Sequence, residues 1–192
     1  MEESIIMNCE EGQLSQQPKV LDLGCGNKKR PGAIGVDFNE RTAADVIHNL
    51  NSFPYPFDDS SFDEIYLDNA LEHLDDVMHV MEEVYRLCKP GGVVKVIVPY
   101  FRSPWAYIDP THKHFFTVNS FAYFDPDHII CTRYDYSLAR FKLDKVVFNE
   151  SLMNRWTKKI VLLFANRWPW RYEYYFSHFY SLDDISYYLR KI

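Results

Sequence analysis

"VLDLGCGNKKRPGAIGVDFN", residues 20–39, is the stretch that decides the fold. The chain has seven glycines, and four of them (Gly24, Gly26, Gly32, Gly35) fall in this window, between two apolar runs that each end in an aspartate. A strand, a Gly-x-Gly turn and a second strand closed by Asp37 have the geometry of nucleotide binding in an open α/β sheet. In such sheets the ligand sits at the carboxyl end of the first strand. Glycine serves there because the backbone turns sharply and the ligand approaches it with no Cβ in the way. An acid closing the second strand can accept hydrogen bonds from both hydroxyls of a ribose.

Two ligand classes fit this outline. A dinucleotide needs G-x-G-x-x-G, so that a helix N-terminus faces its pyrophosphate. Here Lys29 stands where the third glycine belongs, and Asp37 comes too soon, since an acid about 20 residues on is expected. S-adenosylmethionine has no phosphate, and the short D-x-G-C-G form suits it better.

Outward from this window, "FDEIYLDN" reads as a third strand with Ile65 and Leu67 in the core. "LEHLDDVMHVMEEVYRLCKPGG" reads as an amphipathic helix. Leu71, Leu74, Val77, Met81, Val84 and Cys88 keep its period, and Pro90-Gly91-Gly92 stops it. "VVKVIVP" reads as a fourth strand ended by Pro99. Strands that are continuous apolar runs, alternating with crossovers, predict a parallel sheet covered on both faces. Further on, "SFAYF" reads as a short capped helix and "LARFKLDKVVF" as a strand. "SLDDISYYLRKI" reads as a last edge strand or a short helix. Segment 151–180 has no clear period.

At 192 residues, 47% of them hydrophobic, the chain has the size of one domain with an ample core. The expected organisation is an N-terminal extension over 1–18 and one domain over 19–192, with an aromatic and basic segment at 151–180. The four cysteines show no CxxC spacing, which argues against zinc and a disulfide framework and fits a reducing cytoplasm. The acidic start lacks an apolar signal-peptide core. Net charge is −6. It is concentrated, because Thr42–Tyr85 holds eleven acids and no Lys or Arg, while Ser151–Tyr172 holds five Lys and Arg and no acid. That balance argues against nucleic acid as the main partner, as does the lack of an [ND]-P-P-[YF] base pocket.

Taken together, "VLDLGCGNKKRPGAIGVDFN", "FPYPFDDSSFDEIYLDNALEHL" and "CKPGGVVKVIVP" resemble the successive motifs of the class I S-adenosylmethionine-dependent methyltransferases, in the small-molecule branch called type 11. The resemblance covers residues 19–99. It implies a Rossmann-like α/β fold with a mostly parallel seven-stranded sheet, helices on both faces and an antiparallel last hairpin. It also implies that Asp22 orients the methionine amino group and that Gly24, Cys25 and Gly26 form the platform under the methionyl chain. Asp37 would hold the ribose and Phe38 would flank the adenine. Asn49 and Leu50 would lie near the adenine amine, Asn49 where the family usually has an acid. Asp68 and Asn69 would lie beside the sulfonium, and Glu72 and His73 match the "EH" that often opens the next helix. The first loop is too short for the family's usual helix, so "NKKRPG" would replace it, with that face thinner or covered by residues 1–18.

Methyl transfer needs a base only where the acceptor is protonated at neutral pH. The segment "PYFRSPWAYIDPTHKHFFTVNSF", residues 99–121, begins where the fourth strand reaches the active-site edge. The resemblance puts substrate recognition there, with Tyr100, Arg102, Trp105 and His114 as the binding residues. His112, with His73 and Asp109, is the expected catalytic group. Histidines two apart on an extended segment point the same way, and Asp109 could orient one of them. The competing reading is that His112 and His114 satisfy loop carbonyls. A metal would need a third ligand, which the sequence does not pick out, so none is expected. The tail interleaves Trp156, Trp168 and Trp170 with Arg155, Lys158, Lys159, Arg167 and Arg171. That pattern suits a lid, a dimer interface, or peripheral membrane contact through 151–172.

The expected function is methyl transfer from S-adenosylmethionine, leaving S-adenosylhomocysteine, to an oxygen or nitrogen of a small molecule or a sugar- or lipid-linked metabolite. A cytoplasmic monomer or homodimer is expected. The rivals are a non-catalytic cofactor-binding sensor or scaffold and an NAD-dependent oxidoreductase.

Overall fold

The computed structural model describes residues 17–149 and 156–192. The expected extension over 1–18 therefore falls almost wholly outside the described residues, as do residues 150–155 of the tail.

Seven strands form one sheet: β1 (Val20–Leu23), β2 (Ile34–Asp37), β3 (Val46–Ile47), β4 (Phe62–Asp68), β5 (Cys88–Pro99), β6 (Phe141–Asn149) and β7 (Asp184–Lys191). Their order is β3-β2-β1-β4-β5-β7-β6. The first five are parallel, and β7 runs antiparallel to both β5 and β6. Apolar runs make the central strands because both faces are covered: Leu21, Leu23, Ile65, Leu67, Val94, Val96 and Val98 have no solvent exposure. Truncating one of them, such as Leu67→Ala, costs about 2–5 kcal/mol.

The structure corrects the reading of several elements. The two-residue β3 pairs with β2 and shifts the count, so "FDEIYLD" is the fourth strand and the run to Pro99 the fifth. The helix read from Leu71 is two pieces. A single 3-10 turn covers Leu71–His73, and α1 (Val77–Leu87) starts afresh where the Asp76 side chain accepts from His79 N. The helix also ends before Pro90. Cys88 already pairs with Phe62, and Lys89–Gly92 bulges out of the ladder before Glu64 pairs with Val93. Finally, β7 is not an edge strand. It slots between β5 and β6, which explains why Ile185, Tyr187 and Leu189 are fully buried.

No helix lies between β1 and β2. Lys28–Gly32 loops over that face instead, and the Arg30 guanidinium stacks 3.8 Å from the Tyr66 ring centroid and pairs with Asp68. The described part of the tail that had no clear period is mostly helical: α4 (Trp156–Arg167), α5 (Pro169–Arg171) and a π-helical turn over Tyr172–Phe176. α2 (Trp105–Ile108) and α3 (Ile129–Tyr134) are short helices between β5 and β6. Among the described residues, no helix is long and apolar enough to cross a membrane.

Candidate active site

The β1–β2 turn shapes the first half of the site. Gly24 has φ +72°, and both Gly24 N and Cys25 N donate to Val36 O, locking the turn onto β2. A Cβ on Gly24 would meet the Ala70 Cβ at 2.5 Å, so close approach of the β4 exit requires glycine as much as the dihedral does. At Gly26 (φ +51°) nothing lies within 4 Å of where a Cβ would stand. Its N–H donates to Asp37 Oδ2 (2.9 Å), while Asn39 N donates to Asp37 Oδ1 (2.9 Å). Each carboxylate oxygen is thus held by one backbone donor and keeps a lone pair for a ligand hydroxyl. The adjoining cavity, about 530 Å³, is lined by Gly24, Asp37, Phe38, Asn49, Leu50, Asn69, His73 and Leu74, among others. An open glycine floor, a fixed carboxylate and an apolar wall fit a nucleoside.

A second cavity of about 460 Å³ adjoins the first and shares Asn69 and His73 with it. Its other walls include Pro99, Trp105, Ile108, Asp109, His112 and Asp184. Asn69 leaves β4 on left-handed backbone (φ +51°), its N–H donating to Ile97 O (2.8 Å). Residues far apart in sequence meet here because the 109–116 loop is stitched to the Leu71–His73 turn. Lys113 N donates to Glu72 O (2.8 Å), His114 Nε2 bonds Leu74 O (2.9 Å), and Lys113 Nζ pairs with Asp75 (2.5 Å).

This stitching sets the His73 and His112 rings 4.6 Å apart, edge to face. Thr111 Oγ1 donates to Asp109 Oδ1 (2.7 Å), so its oxygen receives the proton of His73 Nδ1 (2.8 Å). His112 Nδ1 lies 3.1 Å from Ala106 O, a carbonyl that can only accept, and so carries its proton there. In the neutral rings this makes Nε2 the acceptor. Glu72, 2% exposed, has no partner for either carboxylate oxygen, and its Oε1 is 4.0 Å from His112 Nε2. Burial, with Asp184 and Asp109 nearby, pushes its carboxyl up to about 7. Burial also lowers His73, with His112 adding to it. Asp184, raised by burial and then by Asp183, reaches about 6.

A family model described as "Methyltransferase domain" matches residues 21–96. That stretch of the chain is similar to such domains. Among solved structures, a SAM-dependent methyltransferase from Archaeoglobus fulgidus superposes with a TM-score of 0.59 at 20% identity, covering 91% of this chain and 86% of that one. A putative methyltransferase from Bacillus halodurans gives a TM-score of 0.60 at 16% identity, covering 91% and 92%. The fold is thus the Rossmann-like class I methyltransferase fold, whose seven-stranded sheet and antiparallel hairpin are present here. A demethylmenaquinone methyltransferase from Bacillus cereus is 32% identical over 84 residues, 43% of this chain. The chain spans about a third of the curated relatives it matches, 35% in that case.

Within this fold the structure brings Gly24, Asp37, Phe38, Asn49, Leu50 and Asn69 onto one cavity wall. Asn49 Oδ1 also accepts from Asn51 N (3.0 Å). Asp22 sits just behind the wall, 3% exposed and raised by burial, with Arg30 N donating to its Oδ2 (2.8 Å). Cys25 packs under Gly35 and its thiol is pushed up by burial. Asp68 is taken by Arg30 rather than facing either cavity. Of the residues expected to act on the acceptor, His112, His73, Asp109 and Trp105 line the second cavity. Asp109 orients His73 through Thr111, not His112. His114 is held at Leu74 O, Arg102 Nη2 lies 3.0 Å from His178 Nε2, and Tyr100 is fully buried. Sequence reasoning did not assign a role to Thr111, Arg30 or Glu72. Only Glu72 left a signal, as an acid beside His73 in an otherwise apolar turn.

Proposed function

We propose that this protein transfers a methyl group from S-adenosylmethionine to an oxygen or nitrogen of a small molecule or of a sugar- or lipid-linked metabolite. The observation that carries this reading is the pair of cavities meeting at Asn69 and His73. One offers a nucleoside-type cradle and the other offers bases. When bound, S-adenosylmethionine supplies an activated methyl group and leaves as S-adenosylhomocysteine. Asp37 holds the ribose hydroxyls, Phe38 and Leu50 flank the adenine, and the Gly24–Gly26 backbone lets the methionyl chain lie close. The acceptor enters between Trp105, Ile108 and Pro99, and its proton is drawn toward the bare lone pairs of His112, His73 and Glu72. Holding both reactants in adjoining pockets supplies proximity, the main help such a reactive donor needs.

The open second cavity favours an enzyme over a sensor or scaffold that only holds the cofactor. The net charge of −6 supports an acceptor other than nucleic acid. None of the described residues of the 156–180 segment lines either cavity. Trp168, Trp170, Tyr174 and Phe179 stand exposed beside Arg167 and Arg171, which keeps a lipid-linked acceptor or a homodimer contact within this reading.

Calorimetric titration with S-adenosylmethionine, S-adenosylhomocysteine and NAD tests the cofactor half. The first two should bind and NAD should not, and Asp37→Ala should weaken binding by about 1.5–3 kcal/mol, the scale of charge-assisted hydrogen bonds. Binding of NAD alone would make the chain an oxidoreductase instead.

A further inference from the structure

Glu72, His73 and His112 turn potential ligand atoms toward one another. One ligand atom from each lies within 4.8 Å of the others. Both imidazoles have spent their only N–H on an outer partner, Thr111 Oγ1 for His73 and Ala106 O for His112. In the neutral rings Nε2 is then the free acceptor on the side of its neighbours. Glu72 is 2% exposed, and neither of its oxygens finds a partner. A buried carboxylate without a partner and two imidazole nitrogens converging on one point leave a place for a cation.

We propose that Glu72, His73 and His112 form a binding site for a divalent transition-metal ion in the wall of the second cavity. The outer shell is already that of a metal centre. Each ligating histidine is held at Nδ1, one by a backbone carbonyl and one by a hydroxyl that Asp109 anchors. Two imidazoles and a carboxylate select zinc, cobalt or a similar ion over magnesium and calcium, which take oxygen ligands. Bonds of about 2.0–2.2 Å to such an ion set the ligand atoms roughly 3.5 Å apart, so a closure of about 1 Å completes the site. Three protein ligands leave a position open toward Trp105, Ile108 and Asp184, as in catalytic rather than structural centres. That the open position receives the methyl acceptor's oxygen or nitrogen, the bound ion then lowering that group's pKa in place of the three side chains acting as bases, rests on the function proposed above. The ion site itself does not.

The test uses the full chain, stripped with chelator and then titrated with Co²⁺ and, by calorimetry, with Zn²⁺ and Mg²⁺. One equivalent of Co²⁺ should bind with visible d–d bands of a low-coordinate nitrogen and oxygen site. Zn²⁺ should displace it, and Mg²⁺ should not. The near-isosteric Glu72→Gln and, separately, His112→Ala should each weaken Co²⁺ binding by more than the roughly 10–100-fold that loss of an outer-shell partner costs. Circular dichroism confirms that each variant is folded. Absence of Co²⁺ binding, or binding that both folded variants retain, overturns the proposal. S-adenosylhomocysteine is titrated into the same samples. Its binding without Co²⁺ binding sinks the metal site alone, and its failure to bind sinks the methyltransferase reading alone.

Discussion

The two cavities that meet at Asn69 are built in opposite ways. On the glycine side the polar groups are satisfied by backbone before any ligand arrives: Gly26 N and Asn39 N hold the two Asp37 oxygens, and Gly24 N is bound to Val36 O. On the histidine side two imidazoles converge on a buried carboxylate, neither of whose oxygens has a hydrogen-bond partner. The first half is a shape and the second is an unmet demand. A cofactor common to a large fold family can be held by shape, because strands and a turn reproduce it. An acceptor particular to one enzyme is met by side chains that a loop brings together.

The sharpest way to break this contrast is at Gly24. Gly24→Ala puts a side chain on left-handed backbone and drives its Cβ to 2.5 Å from the Ala70 Cβ. Backbone strain and overpacking each cost about 1–3 kcal/mol. A stability loss of about 2–5 kcal/mol is expected in urea unfolding, with cofactor binding reduced alongside. A loss below about 1 kcal/mol would mean that the turn is not the rigid half of the site. Gly26→Ala has the same dihedral problem but open space around it, so it should cost less, and the difference between the two isolates the contact with Ala70.

The same contrast explains what could be read from the sequence. The glycine window was legible because each feature is local: a strand, a turn that tolerates positive φ, and an acid one strand away. The central strands were legible as continuous apolar runs. β3 escaped because two residues carry no periodicity. The late start of α1 escaped because Leu71 and Leu74 keep helical spacing through the 3-10 turn and the break at Asp75–Asp76. β7 reads as an edge until its neighbours are known, since alternation along a strand says nothing about which strands flank it. His73, His112 and Asp109 were found by residue type, but their wiring was not. Asp109 reaches His73 through Thr111, 38 residues along the chain from that histidine, and the bonds from Lys113 and His114 to the Glu72–Asp75 stretch bring them together.

Thr111 is therefore the place to sharpen the histidine side. Thr111→Val keeps the shape and removes the oxygen that receives the His73 Nδ1 proton. Cobalt affinity should fall by roughly 10-fold, within the range for an outer-shell partner of a metal ligand. Thr111 also lines the first cavity, but valine keeps its volume and leaves Asp37 and the glycine turn untouched, so affinity for S-adenosylhomocysteine should stay within about twofold. Equal losses of both would show the two halves to be one coupled unit.

The smallest expected effect is a pH dependence at Asp184, on the far wall of the second cavity. Burial, then the neighbouring Asp183, raises its folded value from 3.8 to about 6. A carboxyl raised on folding binds its proton more tightly in the native state, so ionising it favours unfolding. Its stabilising share is present in full below about pH 4, falls as pH rises toward 6, and is constant and absent above that. Asp184→Asn cannot ionise and escapes the loss. The stability of the variant minus that of the native chain should climb between pH 4 and pH 6 and then level off, as measured by urea unfolding at half-unit steps. A flat difference across that interval would place Asp184 in water, and with it the outer wall of the acceptor cavity. The histidine side would then be an open shelf rather than an enclosed chamber.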